Sequence, residues 1–207
     1  MFQSIQGETS FAGIMTSFIR LAGCPLRCRW CDSSFSFSKG TVYSLDVILL
    51  TIQQFGWAHV CITGGEPLLQ PAVIMLMQEL VAQRYVVSLE TSGALPTTDV
   101  PEQVHTILDV KCPGSGMNHT NAWSNLSRLR THDEVKFVIA DRQDYDYAKG
   151  VIAQHHLLDR TTNILLSPVY GELAPDRLVN WMIEDKLPCR LNMQVHKAVW
   201  EPSQRGV

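Results

Sequence analysis

The sequence predicts an α/β fold, an open or partial barrel of parallel strands with helices packed around it. Three observations carry that reading. β-rich apolar runs alternate with runs of helical apolar spacing. Six or seven strands can be counted, fewer than the eight of a closed barrel. The residues able to do chemistry recur just after strands, at the C-terminal ends where such folds keep their sites. With 207 residues, 45% hydrophobic and 18% charged, the chain supports one sizeable core, and 1–207 is read as a single domain.

The elements follow in order. Thr16 to Leu21 (TSFIRL) is a strand, and a long polar loop follows it. Ser44 is a good N-cap for the helical run SLDVILLTIQQF. AHVCIT is a β-rich run stopped by Gly64 and Gly65. PAVIMLMQEL opens on Pro71, tolerated in a first helical turn. RYVVSLET, HTILDVK and DEVKFVIA are strands, and a helix is expected near residues 143–155. TTNILLS is a strand, PDRLVNWMIEDK a helix starting at Pro175, and CRLNMQVH a last strand.

Composition excludes several classes. The formal charge is −3, and Lys and Arg form no block, so bulk-charge binding to nucleic acid is disfavoured while a local pocket for a small anion is not. The start lacks the basic region and apolar run of a signal peptide, and no segment is long enough to span a bilayer. A reducing cytoplasmic setting is expected. There, clustered cysteines read as metal-binding or redox-active. Cys61, Cys112 and Cys189, far apart in sequence, read as buried small hydrophobes.

The cluster is GCPLRCRWCDSSF, in which Cys24, Cys28 and Cys31 have the spacing C-x3-C-x2-C. Three thiolates hold three irons of a 4Fe-4S cube and leave the fourth open to a ligand. A zinc site of three Cys, completed by a distant residue such as Cys61, is the alternative. The stretch TGGEP at the end of the next strand weighs toward the cluster. Its glycines allow close backbone approach, and Glu66 can accept from an ammonium group.

This pattern resembles the radical S-adenosylmethionine superfamily, whose open iron chelates the amino and carboxylate groups of S-adenosylmethionine. FQSIQGETSFAG, FIRLAGCPLRCRWCDSSFSF and QVHKAVWEP together resemble the 7-carboxy-7-deazaguanine synthase family, over almost the whole chain. The resemblance implies a (β/α)6-type partial barrel. It implies conversion of 6-carboxy-5,6,7,8-tetrahydropterin to 7-carboxy-7-deazaguanine with loss of ammonia, on the way to deazapurines such as queuosine. It also implies a 4Fe-4S cluster, S-adenosylmethionine and Mg2+ as cofactors, a flavodoxin- or ferredoxin-like electron donor, and a homodimer.

Residue by residue, the resemblance places Ile5, Gln6, Gly7, Glu8, Arg20, Thr63, His196 and Pro202 at the substrate. It places Gly65, Glu66, Thr91 and Ser92 at S-adenosylmethionine. Asp109, Val110 and Lys111, with Ser167, Pro168, Val169 and Tyr170, border its adenosine and ribose. Ser33 stands where the family keeps its magnesium hydroxyl, and Asp32 is the alternative or supporting ligand. Ordinary roles remain open: a loop carboxylate for Glu8, a surface ion pair for Arg20, and turn formation for Asp32, Ser33, Thr91 and Ser92. The chain departs from the family pattern twice. Ser-Gln-Arg-Gly-Val follows Pro202, which removes a free carboxylate there, and the start at FQSIQGE implies a shortened first strand or a misplaced start. A glycyl-radical activase and a non-catalytic iron-sulfur carrier are the competing classes.

Overall fold

The computed structural model describes residues 1–37 and 40–206; Ser38, Lys39 and Val207 lie outside the described residues. One sheet of eight strands runs in sequence order. β1 (Phe2–Ile5) lies antiparallel to β2 (Met15–Leu21). β3 (His59–Gly64), β4 (Val86–Thr91), β5 (His105–Val110), β6 (Glu134–Ile139), β7 (Ile164–Pro168) and β8 (Arg190–Leu191) follow, each parallel to its predecessor. The sheet curls without closing: among the described residues β1 and β8 do not pair. The open partial barrel is as the sequence predicts.

Four crossovers carry helices: α1 (Leu45–Phe55), α2 (Val73–Ala82), α3 (Arg142–Gln154) and α4 (Pro175–Glu184). The Ser44 hydroxyl accepts from the Val47 N–H at the start of α1, and Gly56 ends it in the left-handed conformation, φ 77°, which glycine adopts without a Cβ penalty. Pro175 begins α4 as expected. The β4–β5 connection has no helix, and β5 reaches β6 through short 3-10 turns.

Side chains alternate across each strand. One set packs on α1 and α2 with Ile19, Ile52, Val60, Ile62, Met77 and Leu80. A second packs on α3 and α4 with Val135, Phe137, Ile152, Leu166 and Leu178. Each fully buried apolar side chain contributes about 1.5–3 kcal/mol, so these two layers hold the barrel wall. The lumen receives the intervening residues, and they are mostly polar.

Two expectations are corrected. The sheet has eight strands, not six or seven: its first is β1, a short strand that only the family pattern at FQSIQGE implied. The last strand is only Arg190–Leu191, and His196 opens the short helix α5 (His196–Val199) instead of ending a strand. Just past β8, Asn192 still donates its N–H to the Leu166 carbonyl at 2.9 Å, and its side chain turns inward. Its carboxamide oxygen accepts from the Thr9 N–H at 2.7 Å, and its NH2 donates to the Ser167 hydroxyl at 2.8 Å.

Candidate active site

The loop 6–14 between β1 and β2 does not form a tight hairpin. It turns under the sheet and plugs the lumen from below. Ser10 donates its N–H and hydroxyl to Glu134 at the foot of β6, and Phe11 stacks on His59 at 4.4 Å between ring centres. Thr9 has φ 67°, costly for a β-branched residue and maintained by its fixed neighbours. The plug is tied to the C-terminal segment by the Val195 N–H, which donates to the Gly7 carbonyl at 2.8 Å. A Cβ on Gly7 would fall 1.9 Å from His196 Nδ1, so only glycine fits while that ring stays.

Above the plug lies a cleft of about 740 Å3. Gln6 and Glu8 form its floor, Arg20 and Thr63 its wall, and the cysteine loop its rim. Asp109, Lys111 and Ser167 to Tyr170 line the far side, and His196 and Pro202 the mouth. Glu66 is fully buried behind this wall. Val110 is the exception among the residues assigned to the cofactor border. Strand alternation turns its side chain outward into the α3 and α4 core, while Asp109 and Lys111 face the cleft.

The TGG turn is shaped by close backbone contact. A Cβ on Gly64 would lie 2.3 Å from the Leu21 carbonyl oxygen, and one on Gly65 2.1 Å from that of Gly23 and 2.9 Å from the Cys24 Cβ. The strand end therefore presses directly behind the first cysteine. Glu66 accepts from the N–H groups of Leu68, at 2.9 Å, and Ser92, at 2.7 Å. It also accepts from both the Thr91 and Ser92 hydroxyls. Thr91 and Ser92 therefore hold Glu66.

The three thiols stand half-buried on one loop at the cleft. Burial pushes the Cys28 and Cys31 thiols up, opposed at Cys28 by the Lys111 charge and at Cys31 by a backbone hydrogen bond from Ser33. Binding iron would convert them to thiolates and remove that cost. Among the described residues no three His, Cys, Asp or Glu side chains converge on a single ion. Three thiols on one loop are the donor set of a 4Fe-4S cluster that leaves one iron open. The loop is latched from outside by Arg29. Its guanidinium forms a two-bond pair with Glu172 at 3.1 and 2.7 Å, and its N–H and Nε donate to the carbonyls of Ser115 and Gly114.

A polar chain follows the cleft wall. Arg20 Nη1 donates to Ser33 Oγ at 3.2 Å, and Ser33 Oγ donates to Asp32 at 2.8 Å. Gln194 Nε2 bridges Asp32, at 3.3 Å, and Glu8, at 2.9 Å. Glu8 pairs with Lys136 at 3.0 Å, Lys136 with Asp109 at 3.4 Å, and Asp109 with Lys111 at 2.9 Å. Glu90 accepts from Gln6 at 3.1 Å and Thr63 at 3.3 Å. Sequence reasoning placed Glu90 at a site-forming strand end but gave it no role, and it did not assign Lys136, Gln194, Asn192 or Arg29 to the site. Alternation in EVKFVI and VVSLET does place Lys136 and Glu90 opposite the apolar face.

Residues 18–146 match the model of the Radical SAM superfamily. The chain is 42% identical to the 7-carboxy-7-deazaguanine synthase of Koribacter versatilis, over 100% of this chain and 98% of that protein. It is also 42% identical to the synthase of that name from Chlorobaculum tepidum, over 100% and 95%. The crystal structure of QueE from Escherichia coli superposes with a TM-score of 0.76 at 26% identity, covering 94% of this chain and 91% of that one. Streptococcus suis SuiB bound to S-adenosylmethionine shares the fold at 11% identity and a TM-score of 0.59. With identity extending over the full length, and with the thiol loop and the glycine turn lining one cleft and Glu66 buried behind its wall, the chain belongs to the radical SAM superfamily and, within it, to the 7-carboxy-7-deazaguanine synthase family.

Proposed function

We propose that this chain carries out the family's reaction, the radical ring contraction of 6-carboxy-5,6,7,8-tetrahydropterin to 7-carboxy-7-deazaguanine with release of ammonia. The observation that carries the reading is the arrangement of one cleft, with a paired carboxylate, Glu8, on its floor, a guanidinium, Arg20, on its wall and three thiols on its rim. A pterin with an added carboxylate needs that pairing. Its amino and ring N–H groups are adjacent donors for Glu8, and its carboxylate is a partner for Arg20. Gln6, Gly7 and the backbone of Ile5 would complete the recognition of the ring edge, with Thr63, His196 and Pro202 around it.

Cys24, Cys28 and Cys31 would hold the 4Fe-4S cluster, with S-adenosylmethionine along Gly65, Glu66, Thr91, Ser92, Asp109, Lys111 and Ser167 to Tyr170. When bound, these two groups supply the electron and the radical that abstracts hydrogen from the substrate. The protein orients the one C–H bond to be broken and excludes water. Mg2+ is assigned to Ser33 and Asp32, adjacent oxygen donors suited to a hard cation that keeps several waters. Ser33 sits between Asp32 and Arg20, so a substrate carboxylate there would meet both the metal and the guanidinium.

The remaining assignments complete the reading: a single domain over 1–207, a homodimer, a flavodoxin- or ferredoxin-like donor, and a cytoplasmic setting. Among the described residues no helix is long and apolar enough to cross a membrane. The test is anaerobic reconstitution with iron and sulfide, then incubation with S-adenosylmethionine, a reductant, Mg2+ and the carboxypterin, with mass spectrometry of the product. The expected result is the deazaguanine acid, formed in excess over any S-adenosylmethionine consumed. Cleavage of S-adenosylmethionine that ignores the pterin would overturn the reading in favour of another substrate.

A further inference from the structure

We propose that Lys136 is a positioning residue for the substrate: its ammonium, fixed between Glu8 and Asp109 on the cleft floor, holds Glu8 as an oriented anion facing the pterin's ring donors. The inference rests on the pterin reading above and adds to it a residue that never needs to touch the ring.

The geometry supports this in three ways. Lys136 projects from β6 into the lumen with only 11% of its side chain exposed, and its Nζ lies 3.0 Å from Glu8 Oε2 and 3.4 Å from Asp109 Oδ2. Glu8 Oε1 is held separately by Gln194 at 2.9 Å. Oε1 thus has one fixed donor, Oε2 has Lys136 and a long contact from Asn192 Nδ2 at 3.5 Å, and both keep acceptor capacity for a ligand in the cleft. Charge balance gives the third. Asp32, from the thiol loop, raises the cost of a charge on Glu8. Asp109 faces it from β5 beyond Lys136, and Glu90 on β4 acts on Lys136 as well. Lys111 is paired with Asp109, Arg20 with Ser33, Lys197 of α5 acts on Asp32 and lies over the Tyr170 ring, and the His196 ring packs on the neighbouring Gly7. Lys136 is therefore the cation that serves Glu8. Burial works to raise the Glu8 carboxyl, yet the Lys136 charge and the Gln194 hydrogen bond leave it below the ordinary value. Without Lys136 a buried carboxylate among carboxylates would take up a proton and lose an acceptor.

Binding of 6-carboxytetrahydropterin, measured directly by equilibrium titration, tests this in the parent, Lys136→Met, Lys136→Arg, Glu8→Gln and the Lys136→Met/Glu8→Gln pair. Lys136→Met is expected to bind about ten- to a hundredfold more weakly at neutral pH, the range of a charged hydrogen bond. Its affinity should recover as pH rises toward 9, because removing the cation raises the Glu8 pKa and only the ionised form accepts both donors. The parent should stay flat over the same range. Lys136→Arg should retain binding within a few-fold. The double variant should bind no worse than Glu8→Gln alone, since a neutral Glu8 position leaves Lys136 no anion to hold. Additive losses in the double variant, or a Lys136→Met affinity that is low at every pH, would overturn the inference in favour of simple packing. Parental binding by Lys136→Met would also overturn it. If the parent itself fails to bind the carboxypterin, it is the functional reading that falls. If Lys136→Met does not fold, Lys136→Arg decides: weakening beyond about tenfold refutes a role carried by charge, and retained binding with a flat pH profile upholds it.

Discussion

The two faces of each barrel strand are built from opposite chemistry. Outward, β3 and β6 present Val60 and Ile62, and Val135, Phe137 and Ile139, all fully buried against helices. Inward, the same strands present His59, Cys61 and Thr63, and Glu134 and Lys136. The outer face is held by packed apolar volume, which tolerates exchange of one aliphatic residue for another. The inner face is held by specific polar pairs, which tolerate little, because a buried partner left alone keeps its full desolvation cost. Stability and recognition thus occupy alternate residues of one strand, separated by the thickness of the sheet.

The comparison can be broken first from the outside. Phe137→Ala, deep in the α3 and α4 layer, should cost about 3–5 kcal/mol of stability. Below its lowered melting temperature the variant should still take up iron and bind S-adenosylmethionine as the parent does. A variant that melts normally but loses its cofactors would show that the two faces are not independent.

The next effect sits inside the lumen. His59 Nδ1 lies 2.8 Å from Thr16 Oγ1, whose own proton goes to the Ile14 carbonyl. The imidazole therefore donates through Nδ1, and its buried Nε2 has no partner among the described residues. Burial, and then repulsion from His105, lower its pKa from 6.5 to about 4. Between those values the unfolded chain binds a proton that the folded chain does not. Stability from this group is complete above about pH 6.5 and is lost as pH falls toward 4, on the order of 3 kcal/mol in all. Urea unfolding across pH 4–7 should show a steeper fall for the parent than for His59→Phe. Parallel curves would mean that the ring is already charged, or that water reaches it, in the folded state.

The smallest effect concerns Glu66. Glu66→Gln turns an NH2 toward the donors of Thr91, Ser92 and Leu68. Unfolding of the cofactor-free protein should register a loss of about 1.5–3 kcal/mol, and affinity for S-adenosylmethionine should fall as well. Unchanged stability together with weaker cofactor binding would assign Glu66 to the ligand alone.

The outer face was legible because its code is local. Strand alternation, the Ser44 cap and the Pro175 start all lie within a few residues of what they control. The thiol loop was legible for the same reason, since its three ligands are neighbours in sequence. The lumen was not. Lys136 meets Glu8 across 128 residues and Gln194 meets it across 186. In a strand such as EVKFVI the polar face ordinarily reads as solvent-facing, and only closure of the sheet makes it interior. β1 did not emerge from apolar periodicity because FQSI is short and half polar. The last strand was overextended, and Asn192 just past it reaches Thr9, a partner 183 residues away.

The plug has a consequence for the making of the protein. Its fasteners, Asn192, Gln194 and Val195, are made more than 180 residues after the plug they hold. At roughly 5–20 residues per second, Glu8 waits about 10–40 s before Gln194 exists to hold it. The cysteines emerge within eight residues of one another, while the Arg29 latch on their loop waits for Ser115 and Glu172. The thiol-loop latch can close once Glu172 is made, and the floor only once Asn192 and Gln194 follow. A ribosome stalled before Asn192 should display a nascent chain whose thiols are accessible and whose pterin site has not yet been built.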